Sequence, residues 1–264
     1  MSGLKTSRNV DVQVRNRGPV PEGADAYAEK KMLAVVDHVR EPVLAVRVKL
    51  TQAVSTSVSR PVTAQAVVDV NGRPVRAHVA ASSMFQAIDL LQERLAARLA
   101  RPRRFGAGGF HGSLRTRAEL DGAGHDDRPH RRRLPAEERR IVRHKSFGLE
   151  HQTPEDAVID LEAMDHDFWL FTDLASGRDS VVYRDVRTGR HRMASLAPLG
   201  QEREVDGLLG VSTVPVPTTS VAEAVSRLRL TGLPFVFFED AATGRGAVLY
   251  HRYDGHYGLI TPSR

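Results

Sequence analysis

The stretch VLAVRVKLT, Val43–Thr51, decides how the first third of the chain is read. Leu44, Val46, Val48 and Leu50 alternate with Ala45, Arg47, Lys49 and Thr51, the period of two expected of a strand covered on one face. The apolar set is assigned to a core, which leaves Arg47 and Lys49 on the other face. Working outward, Val62–Val70 reads as a further strand, and Asn71-Gly72 marks a two-residue hairpin because both residues accept the positive φ of a tight turn. Arg73–Ala80 then returns as its partner, with Val75, Ala77 and Val79 opposed to Arg76 and His78. Towards the N-terminus, Val12 and Val14 alternate with Gln13 and Arg15 in a short strand that ends near Gly18.

Two amphipathic stretches flank these strands. Pro21 and Glu22 open a helix over about residues 21–40, in which Tyr27, Val35 and Val39 share a stripe and Lys30, Lys31 and Arg40 lie on other faces. Gly23 weakens its first turn. A second helix, residues 83–101, aligns Met84, Ile88, Leu91 and Leu95, while Arg94, Arg98 and Arg101 form their own i, i+4, i+7 stripe. The order β-α-β-β-β-α predicts an α+β domain over residues 1–105. Two helices can cover one face of its four-stranded sheet, so the other face presents Arg15, Arg47, Lys49 and Arg76 to solvent or a partner.

The 264 residues allow two or three compact domains, with 41% hydrophobic and 27% charged residues. The absence of cysteine excludes disulfides, thiolate chemistry and cysteine-ligated metal centres. MSGLKTSRNVDVQVR has no apolar signal region, and no stretch reaches 18 apolar residues, so a cytoplasmic protein without a membrane partner is expected. The net charge of +6 is uneven: residues 1–105 hold 17 Lys and Arg against 9 Asp and Glu, the remainder 21 against 23. Such a basic domain suits an acidic partner, of which nucleic acid is the commonest.

Residues 106–139 read as a linker, broken by Gly106, Gly108, Gly109, Gly112, Gly122 and Gly124 and ending in the charged HDDRPHRRR run. Beyond it the chain repeats itself. FWLFTDLASGRDSVVYRD, Phe168–Asp185, matches FVFFEDAATGRGAVLYHR, Phe235–Arg252, at an offset of 67, and 11 of the 30 positions in 154–183 and 221–250 are identical. Each copy reads as helix, apolar strand, glycine turn and strand. Two small homologous α+β modules, 140–198 and 213–264, are therefore expected, with 199–212 as the joint. A module of this size has a marginal core. Pairing would bury the excess apolar surface, with Phe168, Trp169, Phe171, Tyr183, Phe235, Phe237 and Tyr250 as the association residues.

The N-terminal order together with RAHVAASSMFQAIDLLQERLAARLARPRR, Arg76–Arg104, resembles the ribosome hibernation promoting factors, also called ribosome-associated inhibitors. FGLEHQTPEDAVIDLEAMDHDFWLFTDLASGRDSVVYR, Phe147–Arg184, is similar to the C-terminal dimerisation domain of their long form, and YHRYDGHYGLITP, Tyr250–Pro262, to its ending. The resemblance implies binding to the 30S subunit and the 70S ribosome, on 16S ribosomal RNA near the decoding centre, blocking messenger and transfer RNA during dormancy or stress. Carried over by position, it implies RNA contacts by Lys30, Lys31, Arg47, Lys49 and Arg76, continued by Arg94, Arg98, Arg101, Arg103 and Arg104. The departure is the duplication: the usual long form has one C-terminal domain, whereas the tandem layout resembles mycobacterial dormancy-associated members. Self-association is thus open to pairing within one chain or between chains.

Enzyme readings are weaker, and no cofactor or metal is expected. His125 and His130 around Asp126 and Asp127 fall in the linker, and Asp165-His166-Asp167 suits a helix-to-strand turn. FGAGGFHG, Phe105–Gly112, lacks the P-loop pattern. Phe168–Phe171 could stack bases, but packing suits its alternation better. A ribosome silencer without catalytic activity leads. A general RNA binder and a protein-association scaffold acting away from ribosomes are the alternatives.

Overall fold

The computed structural model describes residues 10–52, 62–100, 134–185, 188–196, 209–212 and 214–263. The chain divides into two compact units, the first holding residues 1–106 and Ala163–Asp165 and the second holding both repeats.

In the first unit β1 (Val12–Arg17), β2 (Val43–Gln52), β3 (Val62–Val70) and β4 (Arg73–Ala81) form a sheet of that order, with α1 (Ala24–Val36) and α2 (Met84–Leu99). β1 runs parallel to β2, as a strand–helix–strand crossover requires, and the other pairs are antiparallel. The α+β class and the β-α-β-β-β-α order expected from the sequence are those observed. Val46, Val48 and Leu50 of β2, Ala64, Ala66 and Val68 of β3, and Val75, Ala77 and Val79 of β4 face one core with Met32, Ile88, Leu91 and Leu95 of the helices. Gly23 stands before α1 with φ 78°, so the helix begins at Ala24, later than Pro21. Ser83 caps α2 by accepting from the Gln86 N–H at 3.3 Å.

Leu44 departs from the alternation. The register of β2 against β3 slips between Val43 and Ala45, and Leu44, the extra residue, is 58% exposed. A bulge there leaves the residue unpaired and turns its side chain away from the core.

In the second unit each repeat gives a five-stranded sheet. The first contains β6 (His151–Gln152), β7 (Phe168–Asp173), β8 (Asp179–Arg184) and β9 (His191–Ser195), covered by α3 (Pro154–Ala163). The second contains β11 (Thr218–Thr219), β12 (Phe235–Asp240), β13 (Arg245–His251) and β14 (Tyr257–Pro262), covered by α4 (Val221–Thr231). The fifth strands are exchanged. β5 (Ile141–Phe147) precedes the first repeat but pairs with β14 of the second. β10 (Leu209–Val211) precedes the second repeat but pairs with β9 of the first. Leu209 joins the first helix-side core and Ile141 the second, so each core holds a residue from the other repeat's leading strand. β10 lies in the stretch assigned from sequence to the joint, and residues 199–208 of that joint lie outside the described residues.

Leu50 has no exposed surface while Leu44 stands in solvent. Leu50→Ala is expected to cost about 2–5 kcal/mol in chemical denaturation of the full chain and Leu44→Ala less than about 0.5 kcal/mol. Equal losses would contradict the bulge.

Candidate nucleic-acid interface

Strand alternation sends Gln13, Arg15 and Arg17 of β1 to the face of the first sheet opposite the helices, together with Arg47 and Lys49 of β2 and Arg76 and His78 of β4. Register aligns them in rows. Gln13, Arg47, Val67 and Arg76 stand side by side, and Arg15, Lys49, Gln65 and His78 form the next row. Same-face neighbours lie roughly 6.6 Å apart along a strand and about 4.8 Å across strands. The five Arg and Lys residues of this face are accompanied by carboxylates near its ends, Asp69 of β3 and Asp11, which accepts from Gln13 Nε2 at 2.9 Å.

Arg15 and Lys49 sit opposite one another, an arrangement that costs free energy in an isolated sheet. Among the described residues Arg15, Arg47 and Lys49 are held in no ion pair. Arg76 is steadied by donation to Gln65 Oε1 at 3.2 Å. The arrangement is therefore a fixed grid of cations able to meet several phosphates at once, with Arg offering planar paired donors. Alternation had already placed Arg15 on this face; Arg17, one period further along the strand, was missed, although the same rule finds it.

The other sequence-predicted contacts lie elsewhere. Lys30 is exposed on α1, in the helical layer. Lys31 pairs with Asp89 of α2 at 2.8 Å, and Tyr27 donates to the same carboxylate at 2.8 Å. The hydrogen bond to Asp89 raises the Lys31 ammonium above its ordinary value, and Lys31 in turn holds Asp89 below the usual carboxylate range. Arg94 and Arg98, one turn apart on α2, both donate to Asp165 Oδ1, at 3.0 and 2.6 Å. With 15% and 9% of their side chains exposed, they serve an ion pair inside the first unit and not an open stripe. Arg101, Arg103 and Arg104 lie outside the described residues.

The association residues divide by the same alternation. Phe168, Tyr183, Phe235 and Phe237 line the layer between the two sheets of the second unit, around buried Leu170, Val181 and Val248. Tyr250 joins them, its ring 5.6 Å from that of Phe168. Phe171 and Trp169 project from the opposite face of β7, towards α3. Trp169 stacks on His166 and donates to Gln152 Oε1 at 3.2 Å.

A carboxylate closes the layer. Asp179 of β8, 4% exposed, accepts from Arg245 Nε at 2.7 Å, Arg245 Nη2 at 3.0 Å and the Gly246 N–H at 2.8 Å. Burial alone would raise its pKa, but these donors and the Thr172 hydroxyl outweigh it and hold the carboxyl below its usual range. Sequence reasoning missed this contact; its trace is that Asp179 and Gly246 fall at equivalent positions of the repeat.

Among the described residues no cluster of three or more His, Asp or Glu could hold a metal ion, and no helix is long and apolar enough to cross a membrane.

Comparison with known proteins places a family described as Sigma 54 modulation/S30EA ribosomal protein C terminus on residues 136–189 and again on 209–259, once over each repeat. A dormancy associated translation inhibitor of Mycobacterium tuberculosis is 44% identical over 144 residues, covering 52% of this chain and 53% of that protein. The match thus spans about half the length of that relative. A ribosome hibernation promotion factor of a Picosynechococcus species is 26% identical over 170 residues, covering 64% of this chain and 88% of that protein. A ribosomal subunit interface protein from Coxiella burnetii, of known structure, aligns with 34% of this chain and 94% of its own at 15% identity and a TM-score of 0.28. The chain is thus related in sequence to hibernation factors.

A carboxyl whose pKa is depressed on folding stabilises the fold above the unfolded value and loses that contribution as pH falls through the folded one. Asp179 and Glu223 both have depressed values in the second unit, Glu223 at about 2 through donors from its own helix cap at Ser220 and Thr219. Thermal melts are expected to be flat above about pH 5 and to fall steadily below it. Asp179→Asn should lose about 2 kcal/mol at neutral pH and show a shallower acid limb. An unchanged acid limb would remove the ionised latch.

Proposed function

We propose that this chain silences ribosomes by binding the small subunit through the open basic face of its first sheet. The observation that carries the reading is the in-register grid of Arg15, Arg47, Lys49 and Arg76, left uncovered by both helices. A surface serving only solubility would gain from interleaved carboxylates, whereas this one sets like charges opposite each other. Ribosomal RNA supplies the compensating phosphates, and release of its condensed counterions provides a driving force that weakens with salt. The likeness to a dormancy associated translation inhibitor and to hibernation promotion factors supports a ribosomal target over bulk RNA.

On this reading the sheet occupies 16S ribosomal RNA near the decoding centre, in the path of messenger and transfer RNA, in the cytoplasm, and no chemistry is performed. The domain plan is a binding domain over residues 1–105, a tether over 106–139 and a platform made of 140–198 and 213–264. The repeats pair within one chain and take the place of a homodimer, so ribosomes are silenced singly and not joined in twos. The support is the layer between the two sheets, where Phe168, Tyr183, Phe235 and Phe237 already cover each other.

Co-sedimentation with 30S subunits and 70S ribosomes on density gradients, at low and moderate salt, tests both halves. Expected are salt-sensitive migration with both particles, inhibition of translation, and no paired-ribosome peak. Arg47→Glu with Lys49→Glu should weaken retention at least about tenfold and flatten its salt dependence, because fewer counterions are released. Equal binding to bulk RNA would favour a general RNA binder, and indifference to the charge reversals would favour a scaffold. A paired-ribosome peak would overturn the single-ribosome half alone.

A further inference from the structure

The contacts between the two repeats obey an approximate two-fold relation in which residue i of the first stands for residue i+67 of the second. Phe168 and its equivalent Phe235 meet at 4.8 Å between ring centroids, as self-paired residues at a two-fold axis do. Phe168–Tyr250 at 5.6 Å and Tyr183–Phe235 at 5.5 Å are one contact seen from its two sides. Asp179 and Gly246 are likewise equivalent, and likewise meet each other.

Identity ends at that meeting. A Cβ built on Gly246 would lie 2.7 Å from the Cβ of Asp179 and 2.9 Å from Phe237 Cε2. The backbone at Gly246 lies outside the left-handed region, so space and not conformation calls for glycine there. The flanking residues differ in a matching sense. Arg178 and Arg245 are equivalent, but Arg245 chelates Asp179 whereas Arg178 reaches Glu239 at 3.6 Å. Glu239 is the counterpart of Thr172, whose hydroxyl donates to Asp179 at 3.3 Å. Each arginine thus has one carboxylate, supplied from a different position by the opposite repeat.

We infer that Asp179 and Gly246 form a pairing code that directs each repeat to the other and bars the first repeat from pairing with another copy of itself. Two first repeats would bring two Asp179 carboxylates together at a site shielded from water, where like charges repel and bulk collides. Two second repeats would leave a gap at Gly246, with Arg245 facing Glu239 as Arg178 does here. Only the mixed pair fills the position with a single carboxylate and no collision. The inference rests on the intrachain pairing proposed above and needs no ribosome.

The test uses the full-length chain, with thermal midpoint and solution mass measured over a concentration series. Gly246→Asp is expected to lower the second unit's midpoint by at least 10 °C or abolish its transition. The mirrored variant Asp179→Gly, Gly246→Asp, Thr172→Glu, Glu239→Thr moves the carboxylate to the other side of the axis and should recover most of that loss. A Gly246→Asp chain that melts like the unchanged protein would overturn the code, and so would a mirrored variant no more stable than Gly246→Asp. If the unchanged chain has a dimer's mass while the mirrored variant still rescues, intrachain pairing fails but the code stands, joining first repeat to second across chains.

Discussion

Each repeat folds a sheet with apolar side chains on both faces and owns one helix to cover them. β7 places Phe171 and Trp169 towards that helix and Phe168 and Leu170 away from it, and β12 does the same with Phe238 and Phe237. The second face has to meet something, and in this chain it meets the other repeat. Burying five aromatic rings there removes several hundred square ångströms of apolar surface from water, at roughly 25 cal/mol per Å². Small modules with marginal cores need that contribution. The exchange of β5 and β10 adds to it, because each helix-side core includes a residue from the other repeat's leading strand.

The first unit meets the same constraint differently. Its two helices cover one face of the four-stranded sheet fully, and its other face is polar enough to stay in water. That freedom permits a dense set of Arg and Lys on regular strands, where side-chain positions are better defined than on a tail. The arginines of α2 show the opposite outcome: Arg94 and Arg98 are spent on Asp165, a residue in left-handed backbone with φ 52° after α3. A basic stripe on a helix and a basic grid on a sheet thus look alike as charge and differ in what they can reach.

Duplication followed by divergence resolves a difficulty of tandem modules. Two identical repeats pair equally well within a chain and between chains, which invites chains to link without limit. An asymmetric residue on the pseudo-two-fold axis narrows the choice to first-with-second pairs at little cost, since Asp179 is satisfied by Arg245 and by a backbone N–H that glycine leaves approachable.

Sequence by itself determined the elements of the first unit with their order, and the helix and two central strands of each repeat, but not β5, β6, β9, β10, β11 or β14: a period of two in β2 to β4, Asn71-Gly72 at the hairpin, and an offset of 67 linking the repeats are local or self-referential patterns. It also placed Arg47, Lys49 and Arg76 together, since alternation and sheet order suffice for that. Tertiary structure alone decided that Leu44 sits on a bulge, that Arg94 and Arg98 are taken by Asp165, that β5 and β10 change places, and that Asp179 meets Gly246. Each of these depends on which residue, distant along the chain, arrives opposite, and no periodicity within a segment encodes its partner across space.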